Sequence, residues 1–139
     1  MYVSYDFYIR VFGSIIPETE FFKAEAKAEA VISCLTYING DIFAVPEVVP
    51  VKMAVCAAAE TVYLLDKQAN EMGATIKSES NDGYSVTYVT ETTDGQTAEQ
   101  LLRRKVLEAV RIYLLPTGWL SRSVRGGCRH VCADCNHAL

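Results

Sequence analysis

Residues 75–93 read TIKSESNDGYSVTYVTETT, the one convincing β pattern in the chain, set between two long helical patterns. Tyr84, Val86 and Tyr88 alternate with Ser85 and Thr87, the period-2 signature of a strand rich in aromatic and β-branched residues. Asp82-Gly83 and Asp94-Gly95 punctuate it, each a turn pair in which glycine can take positive φ. Asn81-Asp82-Gly83 can close a hairpin on residues 76–80. A lone two-stranded hairpin is marginal in water, so such a ribbon calls for further edges, and another subunit can supply them.

Working outward, the helix before this stretch begins between Pro46 and Pro50, which are tolerable only in a first turn where their missing N–H groups have no partner. Val51, Val55, Ala58, Val62, Leu65, Ala69 and Met72 then recur at alternating spacings of four and three, an a/d seam. Packing within the chain is the expected use of that seam, and Gly73 is the expected stop. After the β stretch, Thr97 and Gln100 form a capping-box pattern. The helix it opens is expected to run to about Leu115, with Leu102, Val106, Ala109, Val110 and Tyr113 inward and Pro116 and Gly118 closing it. Glu99–Arg103 and Arg104–Glu108 are candidate i,i+4 pairs on its wet side. Residues 119–124 suit an extended segment.

Upstream, Pro17 followed by Glu18 and Glu20 opens another helix, with Phe21, Ala24, Ala28, Val31 or Ile32, Leu35 and Ile38 on its apolar face. Asn39-Gly40 ends it, and Cys34 is expected to be a small buried hydrophobe within it. The aromatic-rich residues 2–12 fit either a short helix capped by Ser4 and ended by Gly13, or a strand. The expected fold is mainly α: a small bundle of three long helices plus a short N-terminal element, with a β-hairpin or strand insertion between the last two long helices. One domain spans 1–125, with the insertion at about 75–93, and a Cys/His-rich tail occupies 126–139.

Half of the 139 residues are apolar and 22% are charged, which sets the chain apart from disordered and coiled-coil compositions. No apolar run approaches the roughly 20 residues that span a bilayer, and the first ten residues lack a basic leader. A cytoplasmic setting is expected, and the odd count of 5 cysteines fits it better than a disulfide framework does. Charge is unevenly spread: residues 1–100 hold 6 basic and 15 acidic side chains, residues 101–139 hold 7 and 2. An acidic body with a basic end can meet copies of itself head to tail or turn that end toward nucleic acid; the plainer reading is two solvated faces.

No histidine precedes residue 130, and neither a phosphate loop nor a nucleophile elbow is present, so an enzyme is not expected. The tail GCRHVCADCNHAL packs Cys128, His130, Cys132, Cys135 and His137 into ten positions. Cys132 and Cys135 have the chelate spacing of a zinc knuckle, and Cys128 or His137 can complete a tetrahedron. The plainer reading is a tail of reduced thiols.

Residues 76–88, IKSESNDGYSVTY, resemble the SE…GxYSVxY segment of head–tail connector (adaptor) proteins of long-tailed bacteriophages. Leu114-Leu115-Pro116-Thr117-Gly118, shortly before Arg122 and Val124, resembles the LPTGL-x-RGV segment that closes that family's last helix. Tyr5, Tyr8, Gly13, Phe21-Phe22 and Leu35-Thr36 resemble its N-terminal region, so the likeness runs from Ser4 to Val124. Trp119 departs from the usual leucine, and the tail lies outside the pattern. The resemblance implies a helical subunit of a twelve-fold ring that docks beneath the portal, extends the DNA exit channel and meets the stopper or next tail component. It implies a location in the virion neck after assembly in a bacterial cytoplasm, no catalysis and no membrane.

On that reading Ser78, Ser80, Tyr84, Val86, Tyr88, Thr90, Trp119, Arg122 and Arg125 are the candidate subunit and portal contacts. The strand at 84–90 would pair with a neighbour's edge by β-augmentation. Arg103, Arg104, Lys105 and Arg111 are candidates to line the channel, where DNA passes without sequence-specific binding. Cys128, Cys132, Cys135 and His137 are the candidate metal ligands, zinc being the one cofactor in question. The alternative function is a small nucleic-acid-binding module built from the basic helix and a zinc tail. A weaker third is a regulatory partner protein of the toxin–antitoxin kind.

Overall fold

Ser4 settles the ambiguity at the N-terminus. Its hydroxyl accepts the Phe7 N–H at 3.3 Å, capping a short helix α1, Tyr5–Phe7, that widens into a π-turn over Tyr8–Phe12. The Gly13 N–H closes that turn on the Tyr8 carbonyl at 3.0 Å. In the computed structural model, residues 1–79 and 97–121 are described, with backbone alone for 72–79. Three long helices follow α1: α2, Glu18–Thr36, extended by a 3-10 turn at Tyr37–Asn39; α3, Val49–Glu79; and α4, Ala98–Leu114. The protein is mainly helical, and no strand occurs among the described residues.

Helix α3 is the centre of the bundle, packed against both α2 and α4, with the N-terminal π-turn against it as well. Ala54 to Ala59 are six consecutive buried residues, a stretch apolar on every side and enclosed on every side. Small side chains there let the neighbouring helices approach closely. The seam is buried at Val51, Val55, Ala58 and Val62, whereas Leu65 is half-buried and Ala69 is exposed.

Two expectations about α3 need correction. Gly73 does not stop it: the helix continues to Glu79, a 31-residue element about 46 Å long at 1.5 Å per residue. One interior glycine costs about 1 kcal/mol relative to alanine, which an already nucleated helix absorbs. Residues 76–79, including Ser78, are therefore helical rather than the first arm of a hairpin. Ser80 and the strand expected at 84–90 lie outside the described residues.

Helix α4 begins as its residues dictate. The Gln100 N–H donates to the Thr97 hydroxyl at 3.2 Å, and the Thr97 N–H donates to the Gln100 side chain at 3.1 Å. Leu114 is its last residue. The Thr117 hydroxyl then caps the Leu114 carbonyl at 2.6 Å, and Gly118 takes φ +82°. Trp119 and Leu120 belong to this closing turn, where an extended segment was expected. Successive i→i+3 bonds, Gly118 N–H to Leu115 and Ser121 N–H to Gly118, keep the chain coiled.

Candidate functional site

Near the N-terminus an aromatic cluster seals the core: the Tyr8 ring stacks 5.1 Å from Phe21, with Tyr5 and Phe12 beside them. The Tyr8 hydroxyl sits at the middle of a polar knot. It donates to Glu60 at 2.7 Å and accepts the N–H groups of Ile15 and Ile16 at 3.0 and 3.1 Å. Burial, with Glu60 beside it, pushes this phenol up to about 12. A Cβ at Gly13 would stand 2.8 Å from the Glu60 carboxylate, so a larger residue there would push that side chain aside.

The last turns of α2 and α4 leave a groove of about 500 Å³ between them. Ile38, Leu107 and Leu115 line it at 59, 37 and 57% exposure, with Trp119 half-buried at its lip. Asn39 holds the groove's shape: its side-chain amide donates at 2.8 Å to the carbonyls of both Trp119 and Ser121. Cys34 also lines the groove and is exposed, which corrects the expectation that it is buried; the buried free thiol is Cys56. Burial, reinforced by Glu60 and Glu25, pushes the Cys56 thiol up to about 12.

The four basic candidates on α4 do not form one stripe. Arg104 and Arg111 are seven residues apart, within about 20° of each other around the helix axis, and both are exposed. Arg111 lines the groove. Arg103 lies about 100° away from Arg104 and is tied to Glu99 at 2.7 Å. Lys105 is half-buried on the opposite flank. The expected Arg104–Glu108 pair does not form among the described residues, leaving Arg104 and Arg111 as the unpaired cations of one face.

Of the candidate contacts, Trp119 is positioned by its carbonyl and packs partly against the core, so only part of the ring faces outward. Tyr84, Val86, Tyr88, Thr90, Arg122 and Arg125 lie outside the described residues, as do Cys128, Cys132, Cys135 and His137. Among the described residues no group of three histidine, cysteine or acidic side chains is placed to hold a metal ion. No helix among them is long and apolar enough to cross a membrane.

Glu25 was not singled out from the sequence, yet it is 2% exposed. The signal was present: Glu25 falls four residues after Phe21 and three before Ala28, on the apolar face of α2. Its carboxyl accepts the N–H groups of Tyr2 at 2.8 Å and Val3 at 3.1 Å. Burial, together with the hydrogen bond to Glu29, pushes it up to about 7. Burial alone would raise Glu29 too. Its bonds to Glu25, to the Tyr2 N–H and to the terminal amine outweigh that and hold it below the usual carboxylate range.

No protein-family model matches the chain, and neither a curated protein nor a solved structure does.

Proposed function

We propose that this protein is a structural subunit of a bacteriophage head–tail connector ring, binding copies of itself and a portal, with no catalytic role. The observation that carries the reading is the closure of α4: Leu114 ends the helix and Gly118 turns the chain, within the segment that resembles the family's LPTG motif. The groove beside that turn supports a contact role. Its exposed apolar side chains, with Arg111 in its wall, suit one half of a heterologous contact, in which one patch meets a different patch on the next copy. An acidic body offers charge of the opposite sign. Two unpaired cations on one face of α4 make a small phosphate footprint, which favours subunit contacts over a grip on DNA. In the virion such a ring extends the channel below the portal and presents a surface to the stopper or tail-completion protein.

Electron microscopy of the purified protein, alone and mixed with its portal, tests this. Rings, or monomers that add to the portal, are expected. Arg104→Glu with Arg111→Glu should abolish assembly while leaving the circular dichroism unchanged, and Tyr84→Asp with Val86→Asp tests the ribbon in the same assay. No association with itself or with portal overturns the proposal. Tight, salt-sensitive DNA binding by the monomer would replace it with the nucleic-acid-binding alternative.

A further inference from the structure

Glu25 and Glu29 stand one turn apart on α2, and both accept the same backbone N–H, that of Tyr2, at 2.8 and 2.5 Å. Two oxygens bonded to one N–H lie within about 5 Å of each other. Val3 adds its N–H to Glu25 at 3.1 Å, and the Met1 amine stands 3.4 Å from Glu29. On the α3 side Cys56 is close enough to feel Glu25, and Glu60 and Lys52 stand in turn near Cys56. Glu60 is engaged by the Tyr8 hydroxyl, and Lys52 is paired with Glu47 at 2.5 Å, so neither neutralises Glu25. Two carboxyls this close, one of them sealed from water, hold a single shared proton more readily than two charges.

We infer that this pair is a proton-operated latch on the N-terminal segment: with one proton it holds residues 1–3 against α2, and doubly ionised it lets them go. The inference is independent of the connector reading. Its sign follows from burial. With the segment lifted, water reaches Glu25 and its carboxyl returns toward the ordinary 4.5, whereas under the segment it titrates at about 7. Between those values the closed form binds one proton more than the open form, so closure weakens by up to about tenfold per pH unit as pH rises. Glu29, held low, works in the other direction and loses its contribution only on stronger acidification. Opening carries Val3, 1% exposed, out of the core. It also draws the Tyr2 ring from Phe43, 5.1 Å away, and the Tyr2 hydroxyl from the Val48 N–H. A patch of apolar surface around residues 42–48 is then uncovered.

The test is solvent exchange of the Tyr2 and Val3 amides in the full chain, measured by NMR at pH 5.5 and 8 and divided by the intrinsic peptide rate at each pH. Protection in the native protein is expected to fall at least tenfold. In Glu25→Gln, whose amide keeps the N–H acceptor but has no charge to gain, protection should stay constant. Equal protection at both pH values in the native protein overturns the latch. So does a full tenfold fall in Glu25→Gln, which would assign the effect to the terminal amine. Should that variant fail to fold, a carbon-13 titration of the native Glu25 carboxyl decides instead. A midpoint near 7, with Glu29 responding, upholds the latch, and a midpoint below 5 overturns it.

Discussion

Tyr8→Phe isolates the polar knot at the N-terminal end, because it removes one oxygen and leaves the stacked ring in place. The lost hydroxyl is the acceptor for two backbone N–H groups in the loop leading to Pro17, those of Ile15 and Ile16. Ile16 is fully buried, so its N–H has no route to water; an orphaned buried donor costs about 1–3 kcal/mol. Ile15 is 54% exposed, and its N–H can turn to solvent, at a cost of about 1 kcal/mol. Glu60 loses its Tyr8 donor at 2.7 Å but is only half-buried and can hydrate. The sum is about 2–4 kcal/mol, or a fall in Tm on the order of 10 °C for a chain of this size. Differential scanning calorimetry at pH 7 measures it, with circular dichroism checking that helicity is kept. Glu60→Gln retains an acceptor for the Tyr8 hydroxyl and should cost under about 1 kcal/mol. A Tm for Tyr8→Phe within about 2 °C of the native value would refute the reasoning. A Glu60→Gln loss equal to that of Tyr8→Phe would move the energy from the backbone donors to the carboxylate.

Ala58→Leu should destabilise the bundle by about 1–3 kcal/mol, because Ala58 is fully buried in the enclosed stretch of α3; a urea midpoint unchanged from the native protein argues that α3 is not central. In a variant with Cys128, Cys132 and Cys135 replaced by serine, Ellman's reagent should titrate Cys34 within minutes and Cys56 only after denaturation. Cys34 is exposed, whereas burial holds the Cys56 thiol at about 12. Two thiols reacting in the native state would contradict the placement of Cys56.

The candidate site was legible in the sequence only where local chemistry carries it. The closing turn of α4 announces itself, since Pro116 cannot continue a helix and Gly118 accepts positive φ. The groove does not, because Ile38 falls on the apolar face expected of α2 and nothing local marks it as uncovered. Asn39 reads as a helix stop, and only the fold shows it bonded to the carbonyls of Trp119 and Ser121, 80 and 82 positions along the chain. The basic run at 103–105 reads as a patch, yet consecutive residues on a helix point about 100° apart, so it disperses.

By itself the sequence determined the helical class, the starts of α2 and α4, and the inward residues of the last, since caps, proline placement and the 3.6-residue period act within a few neighbours. Only the tertiary structure decided which cysteine is buried, and that a tyrosine, a glycine and a glutamate meet in one knot. Those outcomes depend on what other elements bring alongside. Tyr8 finds Glu60 across 52 positions of chain, and no local window contains both ends of such a contact.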